Sequence, residues 1–130
     1  MNEKILKEDG YVDMAENVIC RLETNKDKWG KTKWITTSKI RNLLAMSADI
    51  YNEILGMDER LTEDVNSRID YLRVRFIYES GREPLVKNFV KEAKLIEALK
   101  QIKGSRKEFI LFNRYLESLV AFHRYYGGEE

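Results

Sequence analysis

The stretch RIDYLRVRFIYESGRE, residues 68–83, decides the secondary structure of the middle of the chain. Its apolar residues Ile69, Leu72 and Phe76 recur every three or four positions, and Val65 extends the series toward the N-terminus. That spacing is typical of one buried face of an α-helix, whereas a half-buried strand alternates every second residue. The pattern predicts a helix over about 62–82, and Pro84 is a favourable first residue for the next helix.

The same spacing extends outward through the 130 residues, and no segment alternates for long enough to suggest a strand. Helices are predicted at about 11–26, 37–55, 62–82, from 84 through at least 99, and 105–126. We therefore predict an all-α fold, a compact five-helix bundle that forms a single domain over residues 1–130. The sizeable loops are expected at about 26–35 and 56–61.

Charge is distributed unevenly along the chain, although its net value is only +1. Residues 1–65 carry 10 basic and 13 acidic side chains, a net of −3, and residues 66–130 carry 13 and 9, a net of +4. An anionic partner is therefore expected to prefer the second half. A short basic tract in the first half adds to this charge: Lys28, Lys31, Lys33, Lys39 and Arg41.

The cellular compartment is indicated by cysteine use and by the lack of long apolar runs. Cys20 is the single cysteine, so no intrachain disulfide can form and a reducing compartment is expected. The N-terminal residues contain no basic region followed by an apolar run, so no signal peptide is predicted. No apolar stretch approaches the ~20 residues that cross a bilayer. We expect a cytoplasmic protein with no membrane partner.

The third predicted helix carries a stripe of arginines and tyrosines. Arg68, Arg75 and Arg82 are seven residues apart, and Tyr71 and Tyr78 fall between them, so all five lie within about 80° of the helix circumference. Guanidinium groups bind phosphate in a bidentate manner and tyrosines stack on bases, which favours nucleic-acid contact. In the alternative interpretation the tyrosines belong to the core and the arginines cover them as a rim.

Two apolar residues outside the main face, Val74 and Ile77, suggest that the third helix is apolar most of the way round and lies centrally in the bundle. On the fourth predicted helix Lys87, Lys91 and Lys94 share one face, which indicates either an anion-binding stripe or a solvated lysine face. Further basic residues follow this stripe: Lys100, Lys103, Arg106 and Lys107.

The second predicted helix begins at TTSKIRN, residues 36–42, with basic residues where acids are favoured. The free backbone N–H groups of Thr37, Ser38 and Lys39 therefore predict an anion site at this end. In the loop before this helix lie Trp29 and Trp34, which form either a stacking platform or the closure of one end of the bundle.

Catalytic patterns are lacking in the sequence. The single histidine, His123, falls on the same helical face as Phe112 and Leu116, which predicts a buried structural residue. Cys20 and His123 form no recognisable Cys–His pair, no spacing suits zinc, and no glycine-rich loop suits a nucleotide. We therefore expect no enzymatic activity, no metal and no cofactor.

Four blocks together resemble a known family: TTSKIRNLLAMSADIYNE (36–53), RIDYLRVRFIYESGRE (68–83), VKEAKLIEALKQIK (90–103) and YLESLVAFHRYYGG (115–128). Their order and content resemble the small α-helical subunit of type III-A CRISPR effector complexes, the Csm complexes. The resemblance implies a non-catalytic subunit that stacks in several copies as a minor filament and contacts the backbone of the guide–target RNA duplex. The other implied partners are further copies of itself, the guide-binding backbone subunit and the large signature subunit.

Residue by residue, the resemblance implies RNA contacts first at Lys39 and Arg41. Arg68, Arg73, Arg75 and Arg82 come next, and the lysine stripe adds Lys87 and Lys91. Because base pairing would read the target, such contacts should be indifferent to sequence and sensitive to salt. The alternative function is a helical protein–protein adaptor whose basic face binds acidic partner surfaces.

Overall fold

The computed structural model describes residues 3–129, which form helices joined by short loops. The helices are α1 (Tyr11–Glu23), α2 (Thr37–Ile54), α3 (Glu63–Arg82), α4 (Pro84–Glu92), α5 (Leu95–Lys100) and α6 (Arg106–Tyr125). In this part of the chain β-structure is limited to two isolated bridges, Lys26 with Thr32 and Arg60 with Ser105. One core gathers buried residues from all six helices. The prediction of a single all-α unit is confirmed for the described residues.

The predicted fourth helix is in fact two helices, so the bundle has six rather than five within residues 3–129. Lys94 adopts a left-handed backbone conformation, with φ of 57°, and ends the hydrogen-bond ladder of α4. Val86 and Leu95 are both buried, yet nine residues apart they would lie about 180° apart on one continuous helix. The break lets each of them reach the core.

Helix α6, not α3, occupies the centre of the bundle. Both α1 and α2 pack against α6, whose Phe109, Phe112 and Leu116 are fully buried. The Tyr115 hydroxyl donates a hydrogen bond of 2.8 Å to the carbonyl oxygen of Ala93 in the turn after α4. The phenol is thus buried with its polar atom satisfied, which fixes α6 against that turn.

The outer face of α3 is exposed, contrary to the prediction of a central helix. The exposed fractions are 62% for Tyr71, 53% for Val74, 52% for Ile77 and 55% for Tyr78. We call these four residues the α3 ridge. The sequence pattern was misleading because an apolar surface ridge and a second buried face have the same composition.

One end of the bundle is closed by the C-terminal segment. The rings of Trp34 and His123 pack with centroids 4.5 Å apart, and His123 Nε2–H donates to the carbonyl oxygen of Ile35 at 2.8 Å. The N–H of Thr37 donates to the carbonyl oxygen of Glu129 at 2.7 Å. Trp34 therefore closes the bundle, whereas Trp29 is 78% exposed and carries the Lys28 ammonium over its ring.

Gly128→Ala is expected to lower the free energy of unfolding by about 1–3 kcal/mol. A Cβ at this position would overlap the buried His123 ring, which cannot retreat because Trp34 packs against it. Thermal or urea unfolding measures the change. Gly81→Ala is the matched control: its Cβ meets nothing within 4 Å, and in helix α3 it should stabilise by about 0.5–1 kcal/mol. Equal effects of the two variants would contradict the described closure.

Stability should decrease as the pH falls from about 7.5 to 5.5, because of His123. Burial lowers the pKa of His123, and the Arg124 charge adds to this, while the hydrogen bond to Ile35 opposes it. The unfolded chain therefore binds the proton more readily, and stability is lost below the unfolded pKa of about 6.5 by at most about 1.4 kcal/mol per pH unit. Urea midpoints across this range test it, with His123→Gln expected to flatten the curve. A flat curve for the unmodified chain would contradict the prediction.

Candidate nucleic-acid interface

The arginine–tyrosine stripe of α3 lies on the surface. The guanidinium carbons of Arg75 and Arg82 lie 5.7 and 5.6 Å from the centroid of the Tyr78 ring. Arg75 lies about one helical turn before Tyr78, and Arg82 lies about one turn after it. Tyr71 and Tyr78 are more than half exposed, so the interpretation that placed the tyrosines in the core is wrong. The stripe therefore presents aromatic rings and guanidinium groups to solvent side by side.

Both of these arginines contact a single carboxylate. Arg82 Nη1 donates to the Glu79 carboxylate at 3.4 Å, and Arg75 Nη2 forms an ion pair with it at 3.6 Å. Glu79 itself is buried. One negative charge thus orients two guanidinium groups and leaves an excess of one positive charge. The arrangement pre-orders the arginines while their outer N–H groups stay available to a further acceptor.

The start of α2 faces a carboxylate and a carbonyl of the same chain. Lys39 Nζ lies 3.0 Å from the Glu83 carboxylate, which precedes α4. The N–H of Lys39 is bound by the Thr36 side chain at 3.3 Å, and that of Thr37 by the Glu129 carbonyl. The predicted anion site is therefore wrong, since two of its three N–H donors are occupied.

Three further predicted residues are exposed on the helices that adjoin this surface: Arg41 on α2, and Lys87 and Lys91 on α4. Lys87 lies one helical turn beyond Glu83, to which its backbone N–H donates at 3.0 Å. Within residues 3–129 neither Lys87 nor Lys91 forms an ion pair. We use the name basic edge for five cations: Lys39, Arg75, Arg82, Lys87 and Lys91. The first three pair with two carboxylates, those of Glu79 and Glu83.

Arg68 differs from the other arginines of its stripe because carboxylates surround it. Its guanidinium is hydrogen-bonded to Glu53 of α2. This bond is the largest cause of the raised pKa of Arg68, opposed by burial and supported by the charges of Asp64 and Asp49. The surroundings of Arg68 are thus acidic, which favours a role in packing α3 on α2 over contact with a phosphate.

Arg73 lies on the opposite side of α3, in a separate cleft. The cleft has a volume of about 440 Å³, and its polar lining includes Arg60, Arg73, Lys100, Lys103 and Asp70. Sequence reasoning selected only Arg73 as a site residue here. Lys100 and Lys103 were visible as a basic run, but the α4–α5 break that places them was not, and no signal marked Arg60.

Among residues 3–129, no helix is sufficiently long and apolar to cross a membrane. Cys20 is exposed on α1, whereas His123 is buried at the closed end of the bundle. The prediction that His123 is a buried structural residue is confirmed, since its ring is bonded to the Ile35 carbonyl. The notable surface chemistry of the described residues is cationic.

Comparison with known proteins gives concordant results. The model of the family described as Csm2 Type III-A matches residues 16–129. A Streptococcus thermophilus protein named "CRISPR system Cms protein Csm2" is 41% identical over 97% of this chain and 98% of its own length. Proteins of the same name from Mycobacterium tuberculosis (40% identical, 91% and 92% covered) and Enterococcus italicus (35% identical, 88% and 88% covered) also match. The chain therefore belongs to the Csm2 family, the small subunits of type III-A CRISPR complexes, as its sequence resemblance implied.

Proposed function

We propose that this subunit is non-catalytic and holds the guide–target RNA duplex of a cytoplasmic type III-A complex through backbone contacts of its basic edge. The observation that carries the proposal is the charge excess of that edge, where three cations pair with two carboxylates and two further exposed cations, Lys87 and Lys91, pair with none. Arg41 is exposed on α2 but lies about 200° from Lys39 around that helix, so it is not part of the basic edge. Lysine and arginine contacts of this kind position a duplex without reading its sequence.

The internal ion pairs of the basic edge do not prevent RNA binding. The Lys39 and Glu83 side chains are 44% and 45% exposed, and such surface pairs contribute only about 0–1 kcal/mol each. A phosphodiester can therefore compete for the same N–H donors at small cost. Several copies of the subunit along one RNA would add their contacts, so that modest binding by each copy becomes strong binding by the assembly.

The α3 ridge supports a second role, in protein–protein contact. Four neighbouring residues with large apolar surfaces lie open on one helix, which is typical of an interface. In the proposed complex the ridge would face another subunit: a further copy, the guide-binding backbone subunit or the large signature subunit. The competing function, an adaptor for acidic partner surfaces, would use the basic edge itself as the protein contact.

Target-RNA binding by the assembled complex distinguishes these functions. Replacing Lys87 and Lys91 by Gln should weaken binding of two unrelated target RNAs, each paired with its own guide, by the same factor of about 3–30 while assembly stays intact. The matched control replaces Lys7 and Arg114, which are exposed and lie outside the basic edge, so the net charge change is equal. Loss of assembly with the first variant alone would support the adaptor and contradict the proposal.

A further inference from the structure

The cleft behind α3 is built from three separated parts of the chain. Arg73 comes from the side of α3 opposite the basic edge, Lys100 from the end of α5, and Arg60 and Lys103 from the loops that adjoin them. Its volume of about 440 Å³ lies within the range of about 300–1,000 Å³ that is usual for small-ligand sites. Side chains that the sequence scatters over 44 positions, from 60 to 103, are thus brought around one space.

Backbone contacts hold the two loops of the cleft together. The Leu61 N–H donates to the Gly104 carbonyl at 2.9 Å, and the Arg106 N–H donates to the Glu59 carbonyl at 2.8 Å. The Glu59 carboxylate also accepts the Lys107 N–H at 3.0 Å. This short antiparallel pairing fixes Arg60 beside the turn that carries Lys103. The backbone of the cleft is therefore fixed by this pairing and does not depend on a rearrangement of the two loops.

The turn itself holds Lys103 in a strained backbone conformation. Its φ is 47°, in the left-handed region that residues other than glycine rarely adopt. Gly104 follows with φ of 76°, and a Cβ added there would meet the Asn66 side chain at 3.4 Å. Such strain has a typical cost of about 1–3 kcal/mol and is concentrated at functional positions. The turn places Lys103 at the rim of the cleft, at a position whose backbone conformation would suit glycine better.

The lining of the cleft carries an excess of positive charge. Arg60, Arg73, Lys100 and Lys103 share it with one carboxylate, that of Asp70, and within residues 3–129 none of the four cations forms an ion pair. Lys100 and Lys103 also border the adjoining cavity, which Glu3 and Glu97 line. By contrast, Lys39, Arg68, Arg75 and Arg82 all have carboxylate partners. Four like charges around one space repel each other, and an anionic ligand would relieve that repulsion.

We propose that this cleft is a phosphate-binding site, separate from the basic edge, with Arg73 as its bidentate donor and Arg60, Lys100 and Lys103 around it. The planar Arg73 guanidinium suits two phosphate oxygens, and the lysines supply point charges. The phosphate comes either from an RNA backbone or from a free nucleotide or pyrophosphate. The RNA source rests on the proposed function, since it would add a second strand contact on the other side of α3.

Nuclear magnetic resonance titration of the full chain tests the site, with inorganic pyrophosphate and a ten-nucleotide oligouridine as separate probes. We expect backbone amide shifts at residues 60, 73 and 100–104, and at least a tenfold affinity loss in the variant with both Lys100→Gln and Lys103→Gln. The charge-matched control with Lys7→Gln and Arg114→Gln should lose less than threefold. Shifts with oligouridine alone identify the RNA backbone as the source, and shifts with both probes identify phosphate groups in general.

The proposal is overturned if neither probe shifts these amides, or if the control variant loses as much affinity as the cleft variant. Target-RNA binding by the assembled complex separates this failure from that of the proposed function. Weaker binding on replacing Lys87 and Lys91, together with unperturbed amides in the cleft, would retain the RNA-holding function and reject the cleft. Amide shifts in the cleft, together with unchanged target-RNA binding on replacing Lys87 and Lys91, would retain the cleft as a phosphate site and reject the RNA-holding function of the basic edge.

Discussion

Arg75→Ala in the assembled complex should weaken target-RNA binding at least tenfold while assembly is retained. The substitution removes a guanidinium that stands over the exposed Tyr78 ring and beside Glu79. A lost charge-assisted contact of about 1.5–3 kcal/mol lowers affinity roughly tenfold or more in each copy, and the loss is repeated wherever a copy contacts the RNA. Filter binding or fluorescence anisotropy with a matched guide and target measures it. Lys39→Ala is expected to act in the same direction.

Arg68→Ala is the matched comparison, since it removes the same side chain from the same stripe. Glu53, Asp49 and Asp64 lie around Arg68, so its loss should disturb the α2–α3 contact more than the RNA affinity. We expect an affinity change smaller than that of Arg75→Ala. Equal losses from the two substitutions, or no loss from Arg75→Ala, would show that position along the stripe does not matter and would contradict the assignment of the basic edge.

Phe112→Ala should lower the free energy of unfolding by about 3–5 kcal/mol. Phe112 is fully buried in α6, and its ring centroid lies 6.3 Å from that of Phe76 on α3 and 6.0 Å from that of Phe109. Truncation would leave a cavity at the junction of two helices, in a domain whose total stability is expected to be about 5–15 kcal/mol. Urea unfolding at pH 7 measures the loss.

Tyr125→Ala is the control for Phe112→Ala, because it truncates an aromatic residue of the same helix that is 79% exposed. Its expected cost is below about 1 kcal/mol. A Phe112→Ala variant as stable as Tyr125→Ala would show that α6 does not form the centre of the bundle. That result would remove the scaffold on which both cationic surfaces are positioned.

The helical periodicity was sufficient to predict the fold class but not the break within the fourth segment. Val86 and Leu95 fit helical spacing separately, and only their joint burial requires the left-handed turn at Lys94. Propensity gives no warning of this turn, because lysine is an ordinary helix former. Tertiary packing decided the conformation.

The candidate site could be predicted in part. The seven-residue spacing of Arg75 and Arg82 places them on one stripe, and the structure shows both beside Tyr78. The sequence could not distinguish Arg68, whose carboxylate neighbour Glu53 comes from another helix. It also could not assemble the cleft, because Arg60 reaches Lys103 only through the loop pairing at Leu61 and Gly104.

The salt dependence of target-RNA binding tests most directly whether cations of this chain meet RNA phosphates. The measurement compares the slope of log affinity against log salt concentration for complexes with the unmodified subunit and with Lys87→Gln and Lys91→Gln together. Each phosphate contact removed should reduce the magnitude of the slope by about one, for any target sequence. An unchanged slope, with RNA still bound, would contradict the account.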